Sequence, residues 1–257
     1  MSIKYDVQGG IALITINRPE KLNSLNLNMY EDLANAFKEA ASDPTVSVCI
    51  LTGAGDRAFC VGADLKESIP HLAAGHYISE WDDTHLKHTP MYKPIIAAVN
   101  GFCLGGGFEI LFSTDIRLAS ENAVFALPEV GIGVVPAGGT LVRLARQIPY
   151  AKAMEIILTG KKITAQEALE YGILNYVVKP ADLLNESIKI AEKILDLSSV
   201  AVQSAKESVI KLLSFPMDQA FDMEALLGNK VFTNPDAKEG LDAFYNKRKP
   251  NFPSRKW

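Results

Sequence analysis

Three cysteines in 257 residues, Cys49, Cys60 and Cys103, are too few and too widely spaced for a disulfide framework, and they fit a reducing compartment. There is no C-x-x-C pair and no H-E-x-x-H. The four histidines, His71, His76, His85 and His88, crowd into one segment without a recognised ligand spacing, so no metal is expected. Cationic side chains are outnumbered 26 to 30, for a net charge of −4. No basic stripe exists for nucleic acid to bind. The one dense cationic run, Lys247–Lys249, reads as a solvated tail. Long apolar runs are missing too. The most apolar stretch, 94–112, is interrupted by Pro94, Asn100, Glu109 and several glycines, which excludes a transmembrane helix and with it a membrane partner. The opening MSIKYDV lacks the apolar stretch of a secretory signal, so a cytoplasmic protein is expected.

What is present is enough apolar surface, 48% of residues, for one large core. Ile3, Tyr5 and Val7 alternate with polar neighbours up to Gly9–Gly10, and IALITI follows, which predicts a hairpin. Residues 29–41 carry Tyr30, Leu33, Phe37 and Ala40 on one helical face. VSVCIL at 46–51 and PIIAAVN at 94–100 read as buried strands closed by turns, and DIRLAS and AVFAL repeat the pattern. Strand, turn and helix recurring at roughly forty-residue intervals suggest stacked β-β-α units. After residue 140 helices dominate: 141–159 ending at Gly160, a capping box at Thr164 and Glu167, then 181–197, 200–213, 217–232 and 235–246. ILNYVV adds a strand before Pro180. Leu226, Leu227, Val231 and Phe232 give the 217–232 helix a broad apolar face that must meet the main body or another subunit. The polar, histidine-rich segment 67–93 reads either as a cover over a site or as a surface excursion.

The chemistry-bearing stretch is GFCLGGGFEIL at 101–111. Gly105, Gly106 and Gly107 lie between a strand and a helix. Unpaired N–H groups at a helix start, bare of side chains, suit an oxyanion hole or a phosphate cradle. A tight turn with close helix packing accounts for the glycines equally well. A second strand-exit turn, RAFCVGADLKE, places Val61 and Gly62 where another N–H could join the first. Glu109 enters the helix and Glu129 follows Pro128 after a short strand. Taken singly each glutamate reads as a surface charge, whereas together at one mouth they could divide acid and base duties.

RPEKLNSLN, RAFCVGADLKE, KPIIAAVNGFCLGGGFEI, STDIRLAS, FALPEVGIGVVPAGG, AMEIILTGKKITAQEALEYGILNYVV and EGLDAFYNKRKPNF, in that order along the whole chain, resemble the enoyl-CoA hydratase/isomerase (crotonase) superfamily. The resemblance implies an α/β fold, a crotonase-like spiral of repeated β-β-α units with a C-terminal helical trimerisation region. It places the spiral core and active site in residues 1–195 and the oligomerisation helices in 196–257, building a trimer or a hexamer of two trimers. It implies an acyl-CoA thioester substrate and no separate cofactor, coenzyme A being part of that substrate. The backbone N–H groups of Val61 and Gly106 match the oxyanion-hole donors, and Glu109 and Glu129 match the two catalytic glutamates of the hydratases. Having both glutamates favours hydration of an enoyl-CoA over isomerase or carnitinyl-CoA dehydratase activity, or over a non-catalytic acyl-CoA-binding role. Lys21, Leu22, Ala63, Asp64, Leu65, Gly105, Phe244 and Lys247 match positions along the coenzyme. One departure falls after the second glutamate. Pro136-Ala137-Gly138-Gly139-Thr140 stands where the family often has P-G-x-G-G-T, in a loop that would border the acyl end.

Overall fold

The computed structural model describes residues 2–257. Strands β1 (Ile3–Gln8) and β2 (Ile11–Ile16) form the expected hairpin, Gln8 facing Ile11 across Gly9 and Gly10. Both glycines have positive φ, 56° and 85°, as such a two-residue turn demands. Helix α1 (Leu27–Ser42) begins where the side chain of Asn26 accepts the N–H of Met29 at 3.0 Å, an N-cap. It buries Met29, Tyr30, Leu33, Phe37 and Ala40. Its last carbonyls are met by the buried Lys93, whose Nζ donates to Ala40 O at 2.7 Å.

The spiral follows. The chain runs β3 (Val48–Gly53), β4 (Ala58–Cys60), α2 (Ser68–Ala73), β5 (Ile95–Val99), β6 (Phe102–Leu104), α3 (Gly106–Leu111), β7 (Ile116–Ser120) and β8 (Val124–Ala126). Successive turns put one strand into each of two sheets. The larger has the order β1-β2-β3-β5-β7 with a sixth strand at its end, and β2, β3, β5 and β7 are mutually parallel. In the smaller sheet β4, β6 and β8 are parallel as well. The strands of the larger sheet read as continuous apolar runs because both faces are covered. Leu51, Ala97 and Val99 face a core shared with α1 and α3. Ile50, Ile96 and Ala98 face Leu183, Ala191 and Leu195 of a later helix. The three-residue strands β4 and β6 lie inside stretches that read as turns. The glycine run therefore follows β6 and not Asn100 directly.

Helices α4 (Thr140–Gln147) and α5 (Tyr150–Thr159) replace the single helix expected over 141–159, because Pro149 has no N–H to continue the first. Then come β9 (Ile163–Thr164), α6 (Ala165–Glu170) with the capping box at Thr164 and Glu167, and β10 (Tyr176–Val178), which completes the larger sheet beside β7. The chain closes with α7 (Leu183–Leu195), α8 (Ser199–Leu212), α9 (Met217–Phe232) and α10 (Pro235–Tyr245), the last capped by Asn234. Helix α7 packs on the larger sheet. On α9 only Leu227 is buried, while Leu226 and Phe232 are 64% and 81% exposed. Among the described residues no helix is long and apolar enough to cross a membrane.

Candidate active site

The glycine run divides its work. Gly105 has φ 52° and ψ −128°, a conformation open to glycine alone, and its N–H is spent on Ala126 O at 2.9 Å. Gly107 lies so near β4 that a Cβ there would stand 2.2 Å from Cys60 O. The tight turn and the close packing thus fall on Gly105 and Gly107, on either side of Gly106. Gly62 completes the joint, since a Cβ on it would fall 2.6 Å from the nitrogen of Gly106. The N–H groups of Val61 and Gly106 donate to no protein acceptor among the described residues, and both residues line one cavity.

That cavity has a volume of about 600 Å³ and also takes in Ala63, Leu65, Gly105, Glu109 and Glu129. Glu109 sits on α3 and is only 5% exposed. Its Oε1 accepts the N–H of Gly138 at 2.5 Å. Burial and then the neighbouring Glu129 carboxylate push its pKa to about 7, against the lowering effect of the Gly138 and Thr140 N–H dipoles. Glu129 lies in a 3₁₀ turn, Pro128–Ile132, directly after β8. Burial raises its pKa too, and its Oε2 is buried with no protein partner. Its Oε1 faces the start of α3, 3.0 Å from where a Cβ on Gly105 would be. The two carboxyls and the two free N–H groups therefore open onto the same space.

Lys21, Leu22 and Asp64 stand beside the mouth and not among the lining residues. Leu25 N–H donates to Gly62 O at 2.8 Å and Asp64 N–H to Leu25 O at 2.7 Å, so the 21–25 loop is stitched to the 61–64 turn. Asp64 is held by Arg18 Nη1 at 2.9 Å, and the Lys66 N–H and then this guanidinium keep its carboxyl below its ordinary range. Phe244 and Lys247 lie at the end of α10, Phe244 78% exposed, and the fold of this single chain does not bring them to the cavity. The segment 67–93 does lie over it: Ser68, Ile69, Leu72 and Ala73 of α2, then Ile78 and Trp81, form one wall.

Several lining residues had no signal in the sequence. Tyr30 is on α1 and its ring stacks on Trp81, centroids 4.2 Å apart. His85 is 1% exposed. Arg143 of α4 donates to the carbonyls of His85 and Leu86 at 2.7 and 2.8 Å, and Lys87 Nζ to Ala137 O at 3.0 Å. These bonds bolt the end of the covering segment to the loop that carries Gly138. Each contact joins residues about fifty or more apart, beyond the reach of local pattern.

A profile of the enoyl-CoA hydratase/isomerase family matches residues 6–255. The chain is 38% identical to the (E)-benzylidenesuccinyl-CoA hydratase of Thauera aromatica, over 98% of this chain and 99% of that one. It is 38% identical to the short-chain-enoyl-CoA hydratase of Clostridium acetobutylicum, over 96% of each. The crystal structure of an enoyl-CoA hydratase from Mycobacterium tuberculosis superimposes with a TM-score of 0.91 at 37% identity, covering 98% of this chain and 99% of that one. Two largely parallel sheets wound turn upon turn, a glycine-bared helix start and two glutamates at one cavity agree with that match, and the chain belongs to the enoyl-CoA hydratase/isomerase family.

Proposed function

We propose that this protein is an enoyl-CoA hydratase, adding water reversibly across the α,β double bond of a trans-2-enoyl-CoA thioester. The observation that carries the reading is the convergence of Glu109, Glu129 and the unspent N–H groups of Val61 and Gly106 on one cavity. Relatives named as hydratases over nearly the whole chain support it. Attack of water at Cβ drives an electron pair toward the thioester oxygen. Two fixed N–H donors stabilise the enolate-like transition state more than the ground state. Glu109 has the Gly138 N–H, which favours its ionised form, and acts as base toward water. Glu129, whose Oε2 has no donor, carries the proton that goes to Cα. The state competent for hydration has Glu109 ionised and Glu129 protonated. The coenzyme runs past Ala63, Asp64 and Leu65 and the Lys21–Leu22 loop. Phe244 and Lys247, remote from the cavity within one chain, reach a coenzyme only from a neighbouring subunit or after α10 moves.

Glu109→Gln and Glu129→Gln test the assignment. Each should lower the turnover of crotonyl-CoA by about 10²–10⁴-fold, while the affinity for a saturated acyl-CoA changes little. Near-normal turnover in either variant rejects the acid and base roles.

A further inference from the structure

His85 is a buried titratable group without a part in the chemistry described so far. Its Nδ1 lies 2.9 Å from the carbonyl oxygen of Trp81. A carbonyl only accepts, so Nδ1 carries the hydrogen and Nε2 presents a lone pair. That Nε2 is buried and has no protein partner. Burial holds the ring neutral, with its pKa lowered to about 4. Its direction is fixed by the arrangement around Gly138. The point where a Cβ on Gly138 would sit is 2.5 Å from His85 Nε2 and 2.7 Å from Glu109 Oε2. Both acceptors thus face the bare side of Gly138, near enough to each other for one water to bridge them. Since Glu109 Oε1 is taken by the Gly138 N–H, Oε2 is the oxygen left for chemistry.

The ring is also held in place. Arg143 grips the carbonyls of His85 and Leu86, Thr84 Oγ1 donates to Tyr30 O at 2.6 Å, and the Trp81 carbonyl receives Nδ1–H. A buried acceptor fixed in one tautomer beside a catalytic carboxylate needs a donor. Water supplies two hydrogens.

We propose that His85 is a positioning residue for the nucleophile, its Nε2 accepting one hydrogen of the water whose other hydrogen goes to Glu109 Oε2. The inference rests on the reading of Glu109 as base. A water with a single acceptor turns about that bond. With two acceptors its plane is set and a lone pair faces Cβ. In the step itself the O–Cβ bond forms and the hydrogen directed at Glu109 passes to Oε2 as a proton. The hydrogen directed at His85 stays on the product hydroxyl. The π pair moves toward the thioester oxygen and returns to take the Glu129 proton at Cα. The carboxyl pair ends with its one proton on Glu109 and resets by exchange with solvent. His85 gains and loses no proton.

The test compares two reactions of the same site. Hydration of crotonyl-CoA needs the placed water. Exchange of the Cα hydrogens of butyryl-CoA with D₂O uses Glu129 and the N–H donors and needs no nucleophile at Cβ. His85→Phe should lower kcat for hydration about 10²-fold, the size of a nucleophile misplaced by an ångström. KM and the exchange rate should stay within about threefold. His85→Gln restores an acceptor the same number of bonds from Cα and should recover most of the lost turnover. Gly138→Ala, whose Cβ would crowd both His85 Nε2 and Glu109 Oε2, should show the same split and stands in should His85→Phe not fold. Hydration at the normal rate in His85→Phe or Gly138→Ala overturns the proposal. So does a parallel fall of hydration and exchange, or a folded His85→Gln no better than His85→Phe. Glu109→Gln run alongside separates the layers. If it still hydrates, the base assignment fails; if it is inactive while His85→Phe is normal, only the role of His85 fails.

Discussion

A single methyl group decides whether the N–H of Gly106 is reachable. Gly62 has φ 89°, and its Cβ would lie 2.6 Å from that nitrogen. Gly62→Ala should therefore push α3 and the 61–64 turn apart and spoil the donor pair. Losing one oxyanion donor costs about 2.7–4 kcal/mol of transition-state stabilisation, so kcat/KM should fall by about 10²–10³-fold. Steady-state kinetics beside a thermal melt check this. Unchanged kcat/KM in a folded Gly62→Ala would show that Gly106 is no donor. At this scale much was legible. Glu109, Glu129, Val61 and Gly106 all open onto one cavity, as their two turn motifs suggest. His85 was not legible, because its meaning comes from Gly138 and Glu109, and 53 and 24 positions of chain separate it from them.

Elements carry these residues to their places by anchoring both ends. Helix α3 starts at Gly106, and the turn that follows it is fastened by the buried Arg117 of β7, whose Nη2 donates to Thr114 O at 2.9 Å and to Gln147 Oε1 at 2.8 Å. Helices α8 and α9 are fastened on one side only. Between them runs a groove lined by Ala205, Val209, Leu212, Gly228, Val231 and Phe232, with Leu213 78% exposed at its edge. We read this surface as the part of the chain that meets other subunits in a trimer. Burying a phenylalanine contributes about 1.5–3 kcal/mol, and a carboxylate there would cost more than is gained. Light scattering should give the mass of three or six 28.0 kDa chains for the native protein and of one chain for Phe232→Asp. A native monomer would refute the reading. The sequence marked α9 as apolar through Leu226, Leu227, Val231 and Phe232, but only the fold shows that Leu227 turns inward while Phe232 remains outside. The break between α4 and α5 at Pro149 was passed over in reading 141–159 as one helix, although proline marks it by residue type. The three-residue strands β4 and β6 were not legible, because their pairing comes from the neighbouring turns of the spiral.

For the whole molecule the buried Glu109 is a cost. Its pKa stands at about 7 against an ordinary 4.5, so between these values the folded chain holds a proton that the unfolded chain releases. Stability must therefore fall as pH rises through that window, and the full penalty is present above it. The shift corresponds to roughly 3 kcal/mol. Glu109→Gln removes the ionisation, and Gln Oε1 can still accept the Gly138 N–H. It should melt several degrees higher than the native protein at pH 8, about 2–4 °C for each kcal/mol, with the gap closing near pH 4. Melting curves across that range check the sign, and a gap that widens toward low pH would contradict it. Activity needs Glu109 ionised and Glu129 protonated, so kcat/KM should rise with pH toward about 7 and fall again where Glu129 loses its proton.

The sequence by itself determined the hairpin that opens the chain, the caps of α6 and α10, and the two turns whose backbone must be bare. Those are local properties: alternation, capping oxygens, and the positions where only glycine fits. Tertiary structure alone decided which of those features share a space. The desolvation that raises both glutamates, the clamp of Arg143 on the His85 backbone, and the spot shared by His85, Gly138 and Glu109 exist only once distant turns are wound against one another. Burial and direction are properties of the packed chain, and no stretch of sequence carries them alone.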